Sequence, residues 1–312
     1  MILKRGDSLA YLKRSLLQII PSLFILTVII FGLVYVAGDP VANMLPENAT
    51  QEDRMVLTEA LGLDKPIYVQ YFNYLKDLLQ GDFGTSFQYQ EPALGLVLER
   101  LPATLTLSLI AMLVAIIISI PLGIFAALKR NTFLDFFISG ISIVGKAMPN
   151  YWIGIMLILL FAVIVPIFPV SGAETPVHFI LPAITLGVAL AAEMTRLIRG
   201  SVLEVIEQEY VQTARSKGQK EIIVILRHVF LNSLIPVVTI IGLQFPQLIG
   251  GAIVVETVFS WPGVGRLLLS SIGASDMAVV QTIVFIIALI TILANVLTDL
   301  VYRVLDPRIK YV

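Results

Sequence analysis

The chain has 312 residues, of which 57% are hydrophobic and only 14% are charged, with a formal net charge of −1. Soluble domains carry about 25% charged residues, so this composition indicates a membrane protein and argues against a nucleic-acid partner. The sequence contains no cysteine, which excludes disulfide frameworks, thiolate metal sites and cysteine nucleophiles. Its two histidines, His178 and His228, leave little from which to build a metal site.

Six apolar stretches are long enough, or nearly long enough, to cross a bilayer. A hydrocarbon core about 30 Å thick needs about 20 residues of helix. In chain order the predicted spans are Ser15–Gly38, Ala103–Leu128, Phe136–Pro166, Pro176–Ala192, Val229–Val255 and Met277–Thr298. The fourth is short, and we expect it to continue through Glu193 toward Leu197. The sequence therefore predicts an all-α integral membrane protein with six transmembrane helices.

The basic residues predict the orientation of these spans. They concentrate at both termini, in the loop after the second span and in the loop after the fourth, and they are sparser in the other loops. Loops rich in lysine and arginine face the cytoplasm. Both termini are therefore predicted to be cytoplasmic, and the long loop after the first span is predicted to be extracytoplasmic.

That long loop contains two predicted amphipathic helices. Thr50 and Asp53 have the spacing of a capping box, and Gly62 suits the end of the first helix. Asp64 is the predicted N-cap of the second helix, and Gly81 is its predicted end. The loop is either a solvated connector or a docking surface for an external partner.

The loop after the fourth span has the pattern of a polar helical hairpin. Its apolar positions recur every four residues, at Val202, Ile206, Tyr210 and Ala214. Gly218 then suits a residue at positive φ that ends the helix and turns the chain, and a helical pattern resumes at Glu221. The hairpin could lie on the membrane surface, but its mixed charge favours a groove of another protein.

Seven blocks of sequence resemble a known family in the same order. They are GDP at Gly38–Pro40, LGLDKPIYVQY at Leu61–Tyr71, GDFGTSF at Gly81–Phe87, LPATLTLS at Leu101–Ser108, TARSKG at Thr213–Gly218, VVETVFSWPGVGRLL at Val254–Leu268 and LDPRIK at Leu305–Lys310. Together they resemble the membrane-spanning permease subunits of binding-protein-dependent ABC importers, within the dipeptide/oligopeptide/nickel group. The resemblance covers nearly the whole chain and implies the type I ABC importer permease fold.

The resemblance also divides the chain and assigns its partners. It implies an N-terminus with a first helix at residues 1–38, a loop region at 39–102, and a five-helix core at 103–312 with a coupling hairpin at 197–231. Its expected partners in the bacterial-type plasma (inner) membrane are the lipid bilayer, a paralogous permease subunit, two ATP-binding subunits and an extracellular substrate-binding protein. The expected substrate is a small peptide, with nickel, a metallophore or glutathione as alternatives.

The chain is expected not to be an enzyme and to carry no cofactor. It has no G-x-x-x-x-G-K-[ST] motif, and the resemblance implies that ATP and Mg²⁺ bind to the partner subunits. An ATP-independent secondary transporter is a weaker alternative, because midplane carboxylates and repeated halves are not obvious in the sequence. An intramembrane enzyme would need paired catalytic groups in the spans, and these are missing.

In the family, the hairpin is the EAA loop, whose helix docks into a cleft on the ATPase subunit. The family pattern is Glu-Ala-Ala, three residues, then Gly. Here Gln212 replaces the glutamate, while Ala214 and Gly218 match. The residues expected to couple this chain to the ATPase are Tyr210, Gln212, Thr213, Ala214, Arg215, Lys217 and Gly218.

Other candidate residues lie in or near the spans. A charge inside the membrane is costly and faces a cavity or a partner, so Lys146 is expected either to line the pathway, to pair with Glu193 or to be buried against the second permease. The candidate pathway residues are Lys146, Pro149, Glu193 and Gln244. The candidate outer-gate or docking residues are Glu256, Trp261, Pro262 and Arg266. Helix kinks are expected at Pro149, Pro182 and Pro246, and close helix approach at Gly250 and Gly251.

Overall fold

The computed structural model describes residues 19–32, 41, 45, 49–60 and 62–305, and of 235, 236, 239 and 302–305 the backbone alone. In these ranges the regular elements are helices, apart from one isolated β-bridge between Thr85 and Pro92. The blocks GDP and LDPRIK, and the basic residues of both termini, lie mostly or wholly outside them. The all-α prediction is thus confirmed for the described part of the chain.

Eleven α-helices of eight residues or more are present in the described ranges. In chain order, α1 to α11 are Ile19–Gly32, Gln51–Ala60, Ile67–Leu79, Ala93–Leu128, Phe133–Ala147, Asn150–Ile158, Ile180–Ile206, Glu209–Ser216, Leu231–Val258, Val264–Gly273 and Met277–Leu305. A π-helix at Leu159–Ile164 continues α6, and a 3₁₀ turn at Pro176–Phe179 precedes α7. Between α8 and α9 lie a single turn at Glu221–Ile223 and a π-helix at Val224–Phe230.

The membrane-spanning helices match the six predicted spans only in part. Among the described residues, four helical segments are long and apolar enough to span a bilayer, and a bent pair can supply a fifth span. The first predicted span is described only over Ile19–Gly32, which is too short to count. The second span begins at Ala93 instead of Ala103, and the fourth runs to Ile206, beyond its expected extension toward Leu197.

The third predicted span is not one helix. Helices α5 and α6 meet at Met148 and Pro149 with a bend of 102°. Proline has no N–H to donate and disfavours the α conformation in the residue before it, and Met148 accordingly has φ −78° and ψ 133°. Pro149 therefore breaks the span, a stronger effect than the predicted kink. By contrast, α9 continues through Pro246, and Pro182 lies in the first turn of α7, where no N–H is needed.

The single helix predicted to run from Val202 to the turn at Gly218 is also wrong. Helix α7 ends at Ile206, Gln208 is extended with φ −70° and ψ 145°, and α8 begins at Glu209. The break changes the buried face, because Val211 and Ala214 pack inward while Tyr210 is exposed. The four-residue stripe that the sequence indicated does not run along one helix.

Contacts along the chain divide it into two compact units: residues 1–102 with 266–293, and residues 103–265 with 294–312. In the second unit, α7 is the central helix and more than half of its apolar window is buried. Small residues allow neighbouring helices to approach it. A methyl group added at Gly187 would lie 2.8 Å from the carbonyl oxygen of Ala111 on α4. Of the two glycines predicted for this role, Gly251 is in van der Waals range of Leu186, whereas Gly250 faces open space.

The first unit confirms most of the predicted local signals. The backbone N–H of Thr50 donates to the Asp53 carboxylate, and the N–H of Asp53 donates to the Thr50 hydroxyl, which closes the capping box. Gly62 and Gly81 adopt positive φ at the two predicted helix ends. The predicted N-cap at Asp64 is wrong, because α3 begins after Pro66, whose fixed φ suits entry into a helix.

Candidate functional site

The hairpin between α7 and α9 turns at Gly218. Its φ of +73° belongs to the left-handed region, which costs a residue with a side chain about 1–2 kcal/mol. The N–H of Gly218 donates to the carbonyl oxygen of Arg215 at 2.9 Å, so the turn closes directly on the end of α8. The positive φ predicted at this glycine is confirmed.

An ion pair joins the two arms of the hairpin. The Arg215 guanidinium donates to both carboxylate oxygens of Glu221, at 2.7 and 3.2 Å. The hydrogen bond from Arg215 holds the pKa of Glu221 below its usual value of 4.5. Farther along, the His228 ring contacts the amide oxygen of Gln219 at 2.9 Å. Arg215 therefore braces the hairpin, and its charge is already compensated within the chain.

Helix α8 has two distinct faces. Val211 and Ala214 are buried, at 0% and 5% exposure, against the core of the second unit. Gln212 and Thr213 are exposed, and Tyr210 is 44% exposed. Lys217, at the end of the helix, is also exposed. Ala214 thus packs inward, so a partner at this surface would meet the polar side chains and not the small residue that matches the family pattern.

Two further ion pairs connect the approach to the hairpin with the loop between α4 and α5 and with the first turn of α5. The Arg199 guanidinium on α7 donates to both carboxylate oxygens of Asp135, at 2.6 and 2.8 Å. Arg130 donates to Glu207, in the break before α8, at 3.0 Å. The Asp135 side chain is only 7% exposed, whereas Arg130 and Glu207 are more than half exposed.

Sequence reasoning missed Asp135 and Arg199. The two residues are 64 positions apart, and a pairing at that distance has no local signature. The one available signal was an aspartate directly before the apolar run of the third span. Its position at the start of a helix suits a carboxylate, because the helix dipole favours negative charge there.

Lys146 and Glu193 form an ion pair in the same unit. The Lys146 ammonium lies 3.1 Å from a carboxylate oxygen of Glu193, and the lysine side chain remains 52% exposed. A methyl group at the neighbouring Gly145 would lie 3.4 Å from the Ala192 side chain, so α5 and α7 approach closely here. Of the three alternatives expected for Lys146, the structure shows the pairing with Glu193. Pro149 lies at the bend three residues after Lys146, and Gln244 is buried on α9.

A groove of about 500 Å³ lies against the bend between α5 and α6. Its lining is almost wholly apolar and includes Phe136, Phe137, Trp152 and Met156. None of the described residues that line the groove carries an ionisable side chain, so these residues suit contact with apolar groups.

A docking surface requires exposed side chains, but Glu256 and Trp261 are buried. The Glu256 carboxylate is fully buried and accepts hydrogen bonds from the Thr104 hydroxyl at 2.6 Å and the Gly265 N–H at 2.7 Å. Trp261 is 1% exposed, and its ring N–H donates to the carbonyl oxygen of Ala103. These residues fix the loop that follows α9.

Packing also explains Gly263 in the same block. A methyl group at Gly263 would lie 2.3 Å from the Glu256 carboxylate, which is why a glycine is required there. Pro262 and Arg266 are exposed and are the only two of the four predicted docking residues that a partner could reach.

A second buried carboxylate was missed by sequence reasoning. Asp276 is fully buried and accepts a hydrogen bond of 2.5 Å from the Ser86 hydroxyl. The Ser86 hydroxyl in turn accepts from the N–H of Tyr89. The GDFGTSF block is therefore fastened to the start of α11, within the first unit.

The sequence is similar to permease proteins of known transport systems. It is 40% identical to the oligopeptide transport system permease protein AppB of Bacillus subtilis, over 97% of this chain and 99% of that one. It is also 40% identical to the glutathione transport system permease protein GsiC of Escherichia coli, again over 97% and 99% of the two chains. The dipeptide transport system permease protein DppB of Alkalihalophilus pseudofirmus is 37% identical, over 97% of this chain and all of that one.

A solved structure and two family models agree with the similarity to these permeases. A chain from an inward-facing crystal form of the MetNI methionine ABC transporter superposes with a TM-score of 0.59 at 18% identity, covering 68% of this chain and 96% of that one. This likeness confirms the predicted importer-permease fold. Residues 119–311 match the family model described as the binding-protein-dependent transport system inner membrane component, and residues 8–108 match that of its N-terminal region. The chain therefore belongs to the family of binding-protein-dependent transport system inner membrane components.

Proposed function

We propose that this chain forms half of the translocation pathway of an ATP-driven importer for small peptides. Its expected partners are a paralogous permease subunit, two ATP-binding subunits and an extracellular substrate-binding protein. ATP and Mg²⁺ bind to the ATP-binding subunits, and the present chain converts their closure into movement of its helices. Family membership and the peptide-permease relatives support this proposal.

The observation that carries the proposal is the two-faced helix α8. Its buried face packs into the core through Val211 and Ala214, while Gln212, Thr213 and Lys217 are exposed. A short helix that is fixed through its buried face can present its polar face to a soluble partner. Gly218 and the Arg215–Glu221 pair close the hairpin. A force applied to α8 would therefore move the whole hairpin as a rigid unit.

The positions of the ion pairs suggest how such a force would reach the membrane. Glu207 and Arg199 lie on the approach to α8, and they hold Arg130 and Asp135 at the α4–α5 connection. We therefore propose that movement of α8 is transmitted to α5. Helix α5 carries Lys146 close to the 102° bend, where the pathway residues Lys146, Pro149 and Glu193 are expected to act.

The proposed orientation places both termini and α8 in the cytoplasm and residues 39–102 outside. It rests on the distribution of lysine and arginine in the sequence. Pro262 and Arg266 would then be available on the outer side for a substrate-binding protein, whereas Glu256 and Trp261 would hold their loop in place from within.

A second substrate class is glutathione. The Escherichia coli relative is named as a glutathione permease and is as similar in sequence as the oligopeptide relative. The apolar groove beside α5 and α6 cannot separate the two, because both ligands are polar and selectivity would lie mainly in the external protein.

Reconstitution tests the proposed function. The chain would be purified with its partner permease, ATP-binding and substrate-binding proteins, and inserted into lipid vesicles. Uptake of labelled dipeptides, oligopeptides, glutathione and nickel would be measured with and without ATP. We expect uptake of peptides that requires ATP and the external protein. Uptake by this chain alone, without ATP-binding subunits, would overturn the proposal in favour of a secondary transporter.

A further inference from the structure

Helix α3 packs against α1 through a cluster of aromatic residues. The Tyr71 ring lies 6.4 Å from Phe24 and 5.3 Å from Phe31, and the Tyr74 ring lies 5.8 Å from Phe31. The Tyr71 hydroxyl is also 2.9 Å from the Thr27 hydroxyl. Since Thr27 donates to the carbonyl oxygen of Phe24, Tyr71 is the donor in this pair. Helix α3 is therefore attached side-on to the apolar first helix.

The level of this contact can be read from α11. The Gln281 side-chain amide donates to the carbonyl oxygen of Ile30 at 3.0 Å. Gln281 is four residues into α11, which is about 6 Å of helix rise. The residue after Ile30, Phe31, contacts both tyrosines of α3. Helix α3 thus lies near the level at which α11 begins, close to the end of a membrane-spanning segment.

A second apolar face of α3 is exposed. Tyr68, Phe72 and Leu79 have exposures of 63%, 66% and 87%. At 3.6 residues per turn these three positions fall within about 40° of arc. Exposed apolar side chains on α1, including Phe24 at 56% and Ile29 at 57%, extend the same kind of surface along the first helix.

The opposite side of α3 is polar. Asn73 and Asp77 are exposed, and they lie about 120° and about 160° around the helix from the centre of the apolar face. Lys76 is exposed between the two faces, where a long side chain can reach the headgroups. An apolar face with aromatic residues, a polar opposite face and a flanking lysine are the features of helices that lie in a membrane interface.

We propose that α3 lies in the interface of the bilayer, with Tyr68, Phe72 and Leu79 inserted among the lipid acyl chains and Asn73 and Asp77 facing water. On the orientation proposed above, this is the outer leaflet. The helix would anchor the long loop to the membrane beside α1, so a substrate-binding protein would meet other parts of the loop. The observations that favour lipid are the attachment of α3 to an apolar helix and its level near the start of α11.

Spin labels test this placement, and the absence of cysteine in the chain makes single labels straightforward. The variants Tyr68→Cys, Phe72→Cys and Leu79→Cys, with Asn73→Cys and Asp77→Cys as controls, would each carry one nitroxide label. The complete transporter, with its partners free of cysteine, would be placed in vesicles of phosphatidylethanolamine and phosphatidylglycerol. The relaxation of each label by oxygen, which partitions into lipid, would then be compared with its relaxation by a water-soluble nickel chelate.

We expect oxygen to dominate at Tyr68, Phe72 and Leu79 and the nickel chelate to dominate at Asn73 and Asp77, with no change when the substrate-binding protein is added. Equal access of the chelate to both faces would place α3 in water and overturn the proposal. Protection of Phe72 from both reagents would also overturn it, because a protein would then cover this face. Leu79 makes the test secure, since its side chain is 87% exposed and its replacement removes little packing.

Discussion

Arg199 and Asp135 form a bidentate ion pair between α7 and the start of α5, with N–O distances of 2.6 and 2.8 Å. The N–H of Asn131 also donates to the Asp135 carboxylate, at 3.0 Å. The carboxylate is therefore satisfied from two elements while almost fully buried. This pair fixes the α4–α5 loop beside the helix that leads to the hairpin.

Removal of Asp135 is expected to be strongly destabilising. The Asp135→Ala variant leaves the Arg199 guanidinium, which is 28% exposed, without its partner. Breaking a buried ion pair in this way costs about 3–5 kcal/mol, and thermal unfolding in detergent would measure the loss. The control is Arg130→Ala, which breaks an exposed pair and should cost about 1 kcal/mol or less. Equal losses in the two variants would contradict the account.

The first turn of α10 should not tolerate an added methyl group at Gly265. A methyl group there would lie 2.4 Å from the Cα of Ile253, and backbone cannot move aside as a flexible side chain can. We expect Gly265→Ala to lower the free energy of unfolding by about 1–3 kcal/mol. Gly250→Ala is the matched control, because Gly250 meets nothing within 4 Å and lies within α9. That substitution should be neutral or stabilise by about 0.5–1 kcal/mol.

Features determined by neighbouring residues could be predicted from the sequence. The capping box at Thr50 and Asp53, and the positive φ of Gly218, each depend on a few adjacent residues. The burial of Glu256 and Asp276 could not be predicted, because their partners Thr104 and Ser86 are 152 and 190 residues away. The family resemblance suggested an outer-gate or docking role for Glu256, whereas its buried carboxylate bonds Thr104 and Gly265 and fastens the loop after α9.

The break before α8 was missed for a different reason. A four-residue apolar repeat predicts one helix, and the repeat from Val202 to Ala214 contains no proline or glycine. Gln208 is extended, and Val211 is buried in the core. Both features depend on tertiary contacts and not on the local repeat. The bend at Pro149, by contrast, had a clear signal in the sequence, although its size did not.

A β-branched residue at Gly218 is expected to abolish ATP-coupled uptake. Gly218→Val places a side chain at a φ of +73° and would open the turn that fixes the end of α8. Membrane insertion should be intact, because the residue is exposed and touches no other element. Uptake into vesicles and the amount of protein in the membrane are the two measurements. Gly200→Ala, at an open site in α7, is the control and should transport normally; normal uptake by Gly218→Val would count against the hairpin as the coupling element.

Acid is expected to loosen the hairpin through Glu221. Because Arg215 lowers the pKa of Glu221 in the folded chain, the pair contributes stability above the ordinary glutamate range, and this contribution is lost as the pH falls through the folded-state pKa. A nitroxide label at the exposed Gln219 should become more mobile over that fall in pH. The Glu221→Gln variant should show the mobile spectrum already at neutral pH. A pH response that persists in this variant would assign the titration to another group.

The central claim is that the exposed face of α8 docks on an ATP-binding subunit, and photo-crosslinking tests it most directly. A photoreactive amino acid would replace Gln212 or Thr213 on the exposed face, Val211 on the buried face, or Leu269 on α10 as an exposed control on another helix. In the assembled transporter, we predict crosslinks to the ATP-binding subunit from Gln212 and Thr213, and none from Val211 or Leu269. Absence of crosslinks from Gln212 and Thr213, in a complex that still contains the ATP-binding subunits, would contradict the account.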